Sequence, residues 1–295
     1  MSHAWDEEIG GNDSNMPGGA RPDQKPGVVF SSGFFGFFAH AGFLSALRKL
    51  KIVPSAYAGS SSGAIVAAMA ASGMSDHAIR DMLFSVKRED FWDPDPWHSI
   101  LKKALGLFRG YTGYLRGEGF ERLLNKLPVR KIEECERPLA IAATNLTSGQ
   151  ETIFTKGDLI KAIQASGAVP MLFKPVEIGG SIYVDGGITN KAPLKALADL
   201  VDPKKMIVHY IASGNVEGGD RAFLEKRMTP WHIQYLAVNI ARQEAYLRQL
   251  ELVRMRGVEV IEVRTEAPAV APGKLHRGRA AYISARDTTL KILSG

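Results

Sequence analysis

The chain has 295 residues, 45% hydrophobic and 8% aromatic, enough for one large domain or two small ones with a sizeable core. Its formal net charge is +6, spread along the chain without a basic cluster interleaved with aromatics; that excludes a nucleic-acid partner and leaves ordinary solubility or attraction to an anionic surface such as phospholipid headgroups. Cys135 is the only cysteine, which excludes a disulfide framework and a cysteine zinc site and fits a reducing compartment, so the expected location is cytoplasmic.

Met1–Pro26 holds Gly10-Gly11, Pro17-Gly18-Gly19 and Pro22 with almost no apolar periodicity. It is expected to be a disordered tail, and it lacks the apolar core of a secretory signal. No apolar run approaches the ~20 residues that span a bilayer, so membrane contact is expected to be peripheral. Val28-Val29-Phe30 predicts a first strand. Ser31 to Ala39 is a Gly/Phe loop, followed by a helix from His40 to Leu50. Backbone N–H groups of that loop, at the entrance to a helix, suit a developing oxyanion. A dinucleotide fingerprint fits less well, because the glycine spacing differs and no acidic residue follows at the required distance. His40 is expected to support the loop through local backbone bonds.

Ala56–Ala58 predicts a second strand. It leads into Gly59-Ser60-Ser61-Ser62-Gly63 and then the Ala-rich run Ala64–Ala68. Strand, sharp turn and helix are the context in which Gly-x-Ser-x-Gly forms a nucleophile elbow, with Ser61 exposed at the tip. A Gly/Ser linker would not be followed by a buried-helix sequence. Helices are predicted over Ser62–Ser72 and Ser75–Phe84. Residues 88–117 break the rhythm with Phe91, Trp92, Trp97, Leu101, Leu105, Leu107, Phe108, Tyr111 and Tyr114 beside Lys102, Lys103 and Arg109. This is expected to be an inserted cap, either packed on the core or lying at a lipid interface.

A helix near Gly119–Leu127 and strands at Leu139–Ala143 and Thr152–Thr155 follow. Asp158 is expected to cap a helix running through Ser166. Val176–Ile178 and Ile182–Val184 flank Gly179-Gly180, a hairpin signal. Tyr183-Val184-Asp185-Gly186-Gly187 ends a strand in a carboxylate, where open α/β sheets carry their chemistry; an Asp-Gly turn is the alternative reading. Pro193 suits the first turn of a helix to Leu200, and Met206–Ile211 predicts another strand. Ile233, Leu236, Ile240, Leu247 and Leu250 are expected on one face of a long helix ended by Gly257. Val258–Val263 is a late strand and Ala280–Leu293 the last helix. The alternation predicts a three-layer α/β/α domain with a mostly parallel central sheet, from residue 27 to 295.

A glycine-containing loop with downstream His40 and Gly42, then Gly59-x-Ser61-x-Gly63, then Asp185-Gly186-Gly187, occur in an order that resembles the patatin-like phospholipase family. The segment from Ala143 to Leu194 resembles the family's second conserved region throughout. The resemblance implies a patatin-like fold and lipid acyl hydrolysis by a Ser–Asp dyad without a catalytic histidine or cofactor. Ser61 would be the nucleophile, Asp185 its partner, and the backbone of Gly33, Phe34, Phe35 and Gly36 the oxyanion hole, supported by Gly59, Gly63, Gly186 and Gly187. The implied partner is lipid at a membrane or micelle surface. Phe34 and Phe35 stand where the family usually has a basic residue, and Ser31 and Ser32 replace glycines. A Ser-Asp-His triad drawing on His209, His232 or His276 is the rival enzyme, and a lipid- or protein-binding module without turnover the non-enzyme alternative. No metal is required by either mechanism, and no His/Asp/Glu spacing suited to zinc is present. The phenylalanines Phe34, Phe35, Phe37 and Phe38 suit either a dry acyl-binding wall or core packing.

Overall fold

The structure, a computed structural model, describes residues 25–96, 112–212 and 229–295, apart from 267 and 269. Residues 1–24 of the expected tail and 97–111 of the expected cap lie outside the described residues, as does the side chain of His232.

Eight strands form one sheet: β1 (Gly27–Phe30), β2 (Ala56–Ser60), β4 (Leu139–Asn145), β5 (Gln150–Phe154), β7 (Val176–Ile178), β8 (Ser181–Val184), β9 (Lys205–Ile211) and β10 (Glu259–Thr265). The spatial order is β10-β9-β1-β2-β4-β8-β7, with β5 also on β4. The first five of that order run parallel. β5 and β8 join β4 antiparallel, and β7 joins β8 antiparallel. Chain order reverses direction at β1, which lies between β2 and β9; the crevice past the carboxyl ends of such strands is where α/β sheets bind ligands. The hairpin β7–β8 turns through Gly179 and Gly180 at φ 58° and 77°, the double left-handed pair that favours glycine. Off the sheet, a short parallel pair joins β3 (Gly113–Leu115) to β6 (Met171–Phe173), which no sequence signal had marked.

Strand alternation sends side chains to both faces, and both faces are covered. Val28, Phe30, Tyr57, Ile207 and Val263 pack under α1 (Phe37–Lys49), α2 (Ser62–Ala71), α3 (Asp76–Phe84), α4 (Glu118–Leu124), α5 (Leu159–Ser166) and α8 (Gly278–Leu293). Val29, Ala58, Ala140, Met206 and Val208 face α6 (Leu194–Val201) and α7 (Pro230–Met255). All ten residues of α2 are buried, which is why its sequence is apolar all round rather than amphipathic. The predicted Asp158 cap is met, Oδ1 accepting from Lys161 N, and Ser75 Oγ caps α3 in the same way by accepting from Ala78 N. The first helix begins at Phe37 rather than His40.

The expected face holds only in part: Leu250 is buried and Leu236 half-buried, but Ile233, Ile240 and Leu247 of α7 are exposed, and Asn239, Tyr246 and Val253, which the pattern left out, are buried. Successive helical positions turn by about 100°, so residues seven apart stay in register on whichever flank they occupy. Apolar periodicity alone picked mostly the outward flank, whereas burial follows Tyr246, Leu250 and Val253 against the sheet. Of the flanks of segment 88–117, Phe91 is core, with its ring 5.1 Å from Phe35 and 5.9 Å from Phe37. Trp92 packs on Tyr114. No helix among the described residues is long and apolar enough to cross a membrane.

Candidate active site

Three loops meet at the carboxyl edge of the sheet, after β1, β2 and β8. The β2–α2 turn holds Ser61 at φ 54°, ψ −123°, a conformation costing of order 1–3 kcal/mol for a residue with a Cβ. The turn is sharp because β2 must reverse into α2 within one residue. Its tightness shows at Gly59, where a Cβ would lie 2.4 Å from Gly63 O. Ser61 N donates to Ser166 Oγ at 2.8 Å, so the strained peptide is pinned from α5. The Ser61 side chain stands at the N-terminus of α2, where the helix dipole favours developing negative charge. The flanking hydroxyls of Ser60 and Ser62 are buried without a partner among the described residues.

Asp185 follows β8, and its carboxylate receives two bonds. Ser61 Oγ donates to Oδ2 at 2.5 Å and Gly187 N to Oδ1 at 2.7 Å. Its own backbone is held by Thr144 Oγ1, which donates to Asp185 O at 2.8 Å, and by Ala168 O, which accepts Asp185 N at 2.9 Å. Burial raises the Asp185 carboxyl above the ordinary carboxylate range, opposed by the Ser61 bond, the Arg242 charge and the Gly187 bond. The net direction makes Asp185 a stronger base than a solvated carboxylate.

The loop after β1 lies across the elbow. Ser31 N donates to His209 O at 3.1 Å, Ser32 N to Lys191 O at 2.6 Å, and Ile211 N to Ser31 Oγ at 2.9 Å. Of the four amides expected as oxyanion donors, Gly36 N–H is used within the loop itself, donating to Gly33 O at 2.9 Å. The amides of Gly33, Phe34 and Phe35 make no such bond among the described residues. Phe35, Phe37 and Phe38 are core, and Phe34 is 56% exposed at the loop tip.

His40 takes the expected supporting role, through a partner the sequence did not suggest. Its Nε2 lies 2.8 Å from Ser31 O, its Nδ1 lies 2.7 Å from His209 Nδ1, and His209 Nε2 lies 2.7 Å from Thr265 Oγ1. A carbonyl only accepts, so His40 Nε2–H donates to Ser31. Its Nδ1 must then accept from His209 Nδ1–H, and His209 Nε2 accepts from the Thr265 hydroxyl. Both rings are neutral. Burial lowers His40 to about 3 against the pull of the Ser31 bond, and burial, then His40, hold His209 well below its ordinary value. His209 is thereby committed to His40 and Thr265, and His276 is exposed.

Groups whose folded pKa is lowered bind fewer protons folded than unfolded. Their contribution to stability is present above the unfolded histidine value of 6.5 and is lost as pH falls toward about 3. Asp185 works in the opposite direction, because a raised carboxyl favours the fold at low pH. In an Asp185→Asn background, urea unfolding is expected to show a lower midpoint at pH about 4.5 than at pH about 7. An unchanged midpoint would refute the neutral pair.

Sequence reasoning missed Ser166, Thr144 and Arg242, and it named His209 only as a triad candidate, not as the partner of His40. Ser166 carried a faint signal, a small polar residue at the end of a predicted helix. The others carried none, since each belongs to an element far along the chain.

The sequence model of the patatin-like phospholipase family matches residues 28–198. An uncharacterized NTE family protein of Mycobacterium tuberculosis is 30% identical over 182 residues, covering 60% of this chain and 47% of the relative. Patatin-like phospholipase domain-containing protein 4 of Homo sapiens is 26% identical over 272 residues, 88% of this chain and 93% of the relative. The chain thus spans about half the length of the mycobacterial relative and nearly all of the human one. The crystal structure of VipD from Legionella pneumophila superposes with a TM-score of 0.52 at 17% identity, over 92% of this chain and 67% of that one, a likeness of fold. The matched span runs from β1 through the elbow and Asp185 into α6, and the chain belongs to the patatin-like phospholipase family.

Proposed function

We propose that the protein hydrolyses carboxylic esters of lipids through Ser61 and Asp185. The observation that carries this reading is the 2.5 Å bond from the Ser61 hydroxyl to a buried Asp185 carboxylate at a strained elbow. Serine attacks only when a base takes its proton. Ser61 Oγ bonds to the ester carbonyl carbon as its proton passes to Asp185 Oδ2. The carbonyl oxygen becomes an oxyanion facing the Gly33–Phe35 amides and the N-terminus of α2. Collapse breaks the ester C–O bond, and Asp185 returns the proton to the leaving alcohol. Water then attacks the acyl-enzyme, Asp185 takes its proton, and Ser61 regains it as the acid departs. No histidine enters the cycle.

Residues 27–295 act as one hydrolase domain in this reading, and lipid is met at a membrane or micelle surface, with Phe34 exposed beside the site and the enzyme cytoplasmic and peripheral. A fluorophosphonate probe tests the nucleophile: covalent label on the Ser61 peptide is expected, and a blank in folded protein supports the binding module instead.

The pH dependence follows from Asp185. It must be ionised to accept the proton, so activity falls as pH drops through its raised pKa. The acid limb of kcat/KM is expected above the ordinary carboxylate range, and the His209→Asn variant is expected to keep it in place. A limb that disappears with His209 would point to a histidine base.

A further inference from the structure

We propose that Arg242 is a positioning residue of this site: one guanidinium, delivered by α7, clasps the loop after β1 to the Asp185 turn and sets the register between them. The inference rests on the Ser61–Asp185 reading and concerns a residue beyond the span matched by the family model.

The geometry joins two loops that are far apart in sequence. Arg242 Nη2 donates to Ser32 Oγ, and Nη1 donates to Asn239 Oδ1 at 3.1 Å, one helical turn back on α7. The same Nη2 lies against the backbone that follows Asp185: a Cβ at Gly187 would sit 2.6 Å from Arg242 Nη2 and 2.6 Å from Ser32 Oγ. Gly187 N is itself the donor to Asp185 Oδ1. Ser32, Arg242, Gly187 and the Asp185 carboxylate therefore form one contiguous packing unit. Arg242 Nε–H is buried without a partner among the described residues, a desolvation cost that the bonds to Ser32 and Asn239 must offset.

The position explains the serine at 32. Its hydroxyl accepts the guanidinium while its amide is spent on Lys191 O, so the residue is tethered on both sides one step before Gly33. A planar fork holds two acceptors in fixed directions, which a lysine ammonium does not. The guanidinium also moderates the base. Its charge favours the ionised form of Asp185, against the larger effect of burial. The other groups on that carboxylate are the Ser61 hydroxyl and the Gly187 amide. Lys191, further along the same turn, places its ammonium 4.1 Å over the Tyr210 ring, and the nearby histidines are neutral.

Three variants test this on a short soluble ester, each compared with wild type by kcat, KM and the pH profile. Arg242→Gln is expected to lose about 10²-fold in kcat at nearly constant KM, as when one transition-state donor is displaced. Its acid limb is expected to move to higher pH, because the cation no longer favours the Asp185 carboxylate. Arg242→Lys keeps the charge and is expected to keep the limb while losing about tenfold in kcat. Ser32→Ala removes the clasp alone, with a similar kcat loss and an unmoved limb. Wild-type kcat and an unmoved limb in Arg242→Gln would overturn the proposal. If that variant does not fold, full kcat in both Ser32→Ala and Arg242→Lys would overturn it. Ser61→Ala run in parallel separates the two readings: wild-type hydrolysis there removes the dyad itself, whereas its inactivity beside a fully active Arg242→Gln removes only the clasp.

Discussion

Asp185→Asn is expected to lower ester hydrolysis by about 10⁴-fold while leaving the protein at least as stable at neutral pH. The amide has the same shape as the carboxylate and its oxygen still accepts Gly187 N, which donates to Asp185 Oδ1 at 2.7 Å. Its nitrogen meets Ser61 Oγ as a donor, so the packing survives but no base remains. Stability is held or raised because burial works against the ionised carboxyl in the folded state. A raised folded pKa means the native state binds the proton more tightly, so the carboxyl's stabilising effect fades as pH rises through that value. The asparagine variant is free of that loss. Steady-state rates and urea midpoints at neutral pH measure both halves. Ser61→Ala should give a similar loss, and the double variant should be no worse than the poorer single, because the two groups act as one unit. Hydrolysis near the wild-type rate in Asp185→Asn would remove the carboxylate from the mechanism.

Gly63→Ala is expected to cost about 10²–10³-fold in kcat together with about 1–3 kcal/mol of stability. A Cβ there would lie 2.5 Å from Phe30 O and 2.6 Å from Ser31 O. Both obstacles are backbone, at the end of β1 and the start of the loop, so neither can swing aside as a side chain would. The added methyl must push that loop away from the elbow, separating the Gly33–Phe35 amides from Ser61. The loop cannot yield cheaply, since Ser31 is bonded to His209, His40 and Ile211. Thermal unfolding and kcat on a soluble ester test this together; a variant with both unchanged would mean the two loops are not in the close contact described.

The elements that could be read along the chain are those whose cause is local. The elbow needs two glycines around a serine between an apolar strand and an apolar helix, all within a dozen residues. The Asp158 cap and the Gly179-Gly180 hairpin depend on residues two or three apart. Asp185 was visible for the same reason, as a carboxylate at the end of a strand followed by two glycines. The face of α7, met at Leu250 and missed at three other positions, shows the limit of this reasoning. Ile233, Ile240 and Leu247 repeat as regularly as a core stripe, yet the side that packs carries Asn239, Arg242 and Tyr246. Hydropathy ranks side chains by type, whereas which flank is buried depends on where the sheet and the site lie.

Local chemistry along the chain thus specified a parallel sheet covered on both sides, a serine at a sharp turn and an acid at a strand end. Only folding brought Ser61 and Asp185, 124 positions apart, within one hydrogen bond. Folding also supplied His209, Ser166 and Arg242 from β9, α5 and α7 to hold the loops in place. The reason is that a turn or cap is decided by the backbone angles of a few neighbours. A hydrogen bond between loops is decided by strand order and helix placement, which the whole sheet sets at once.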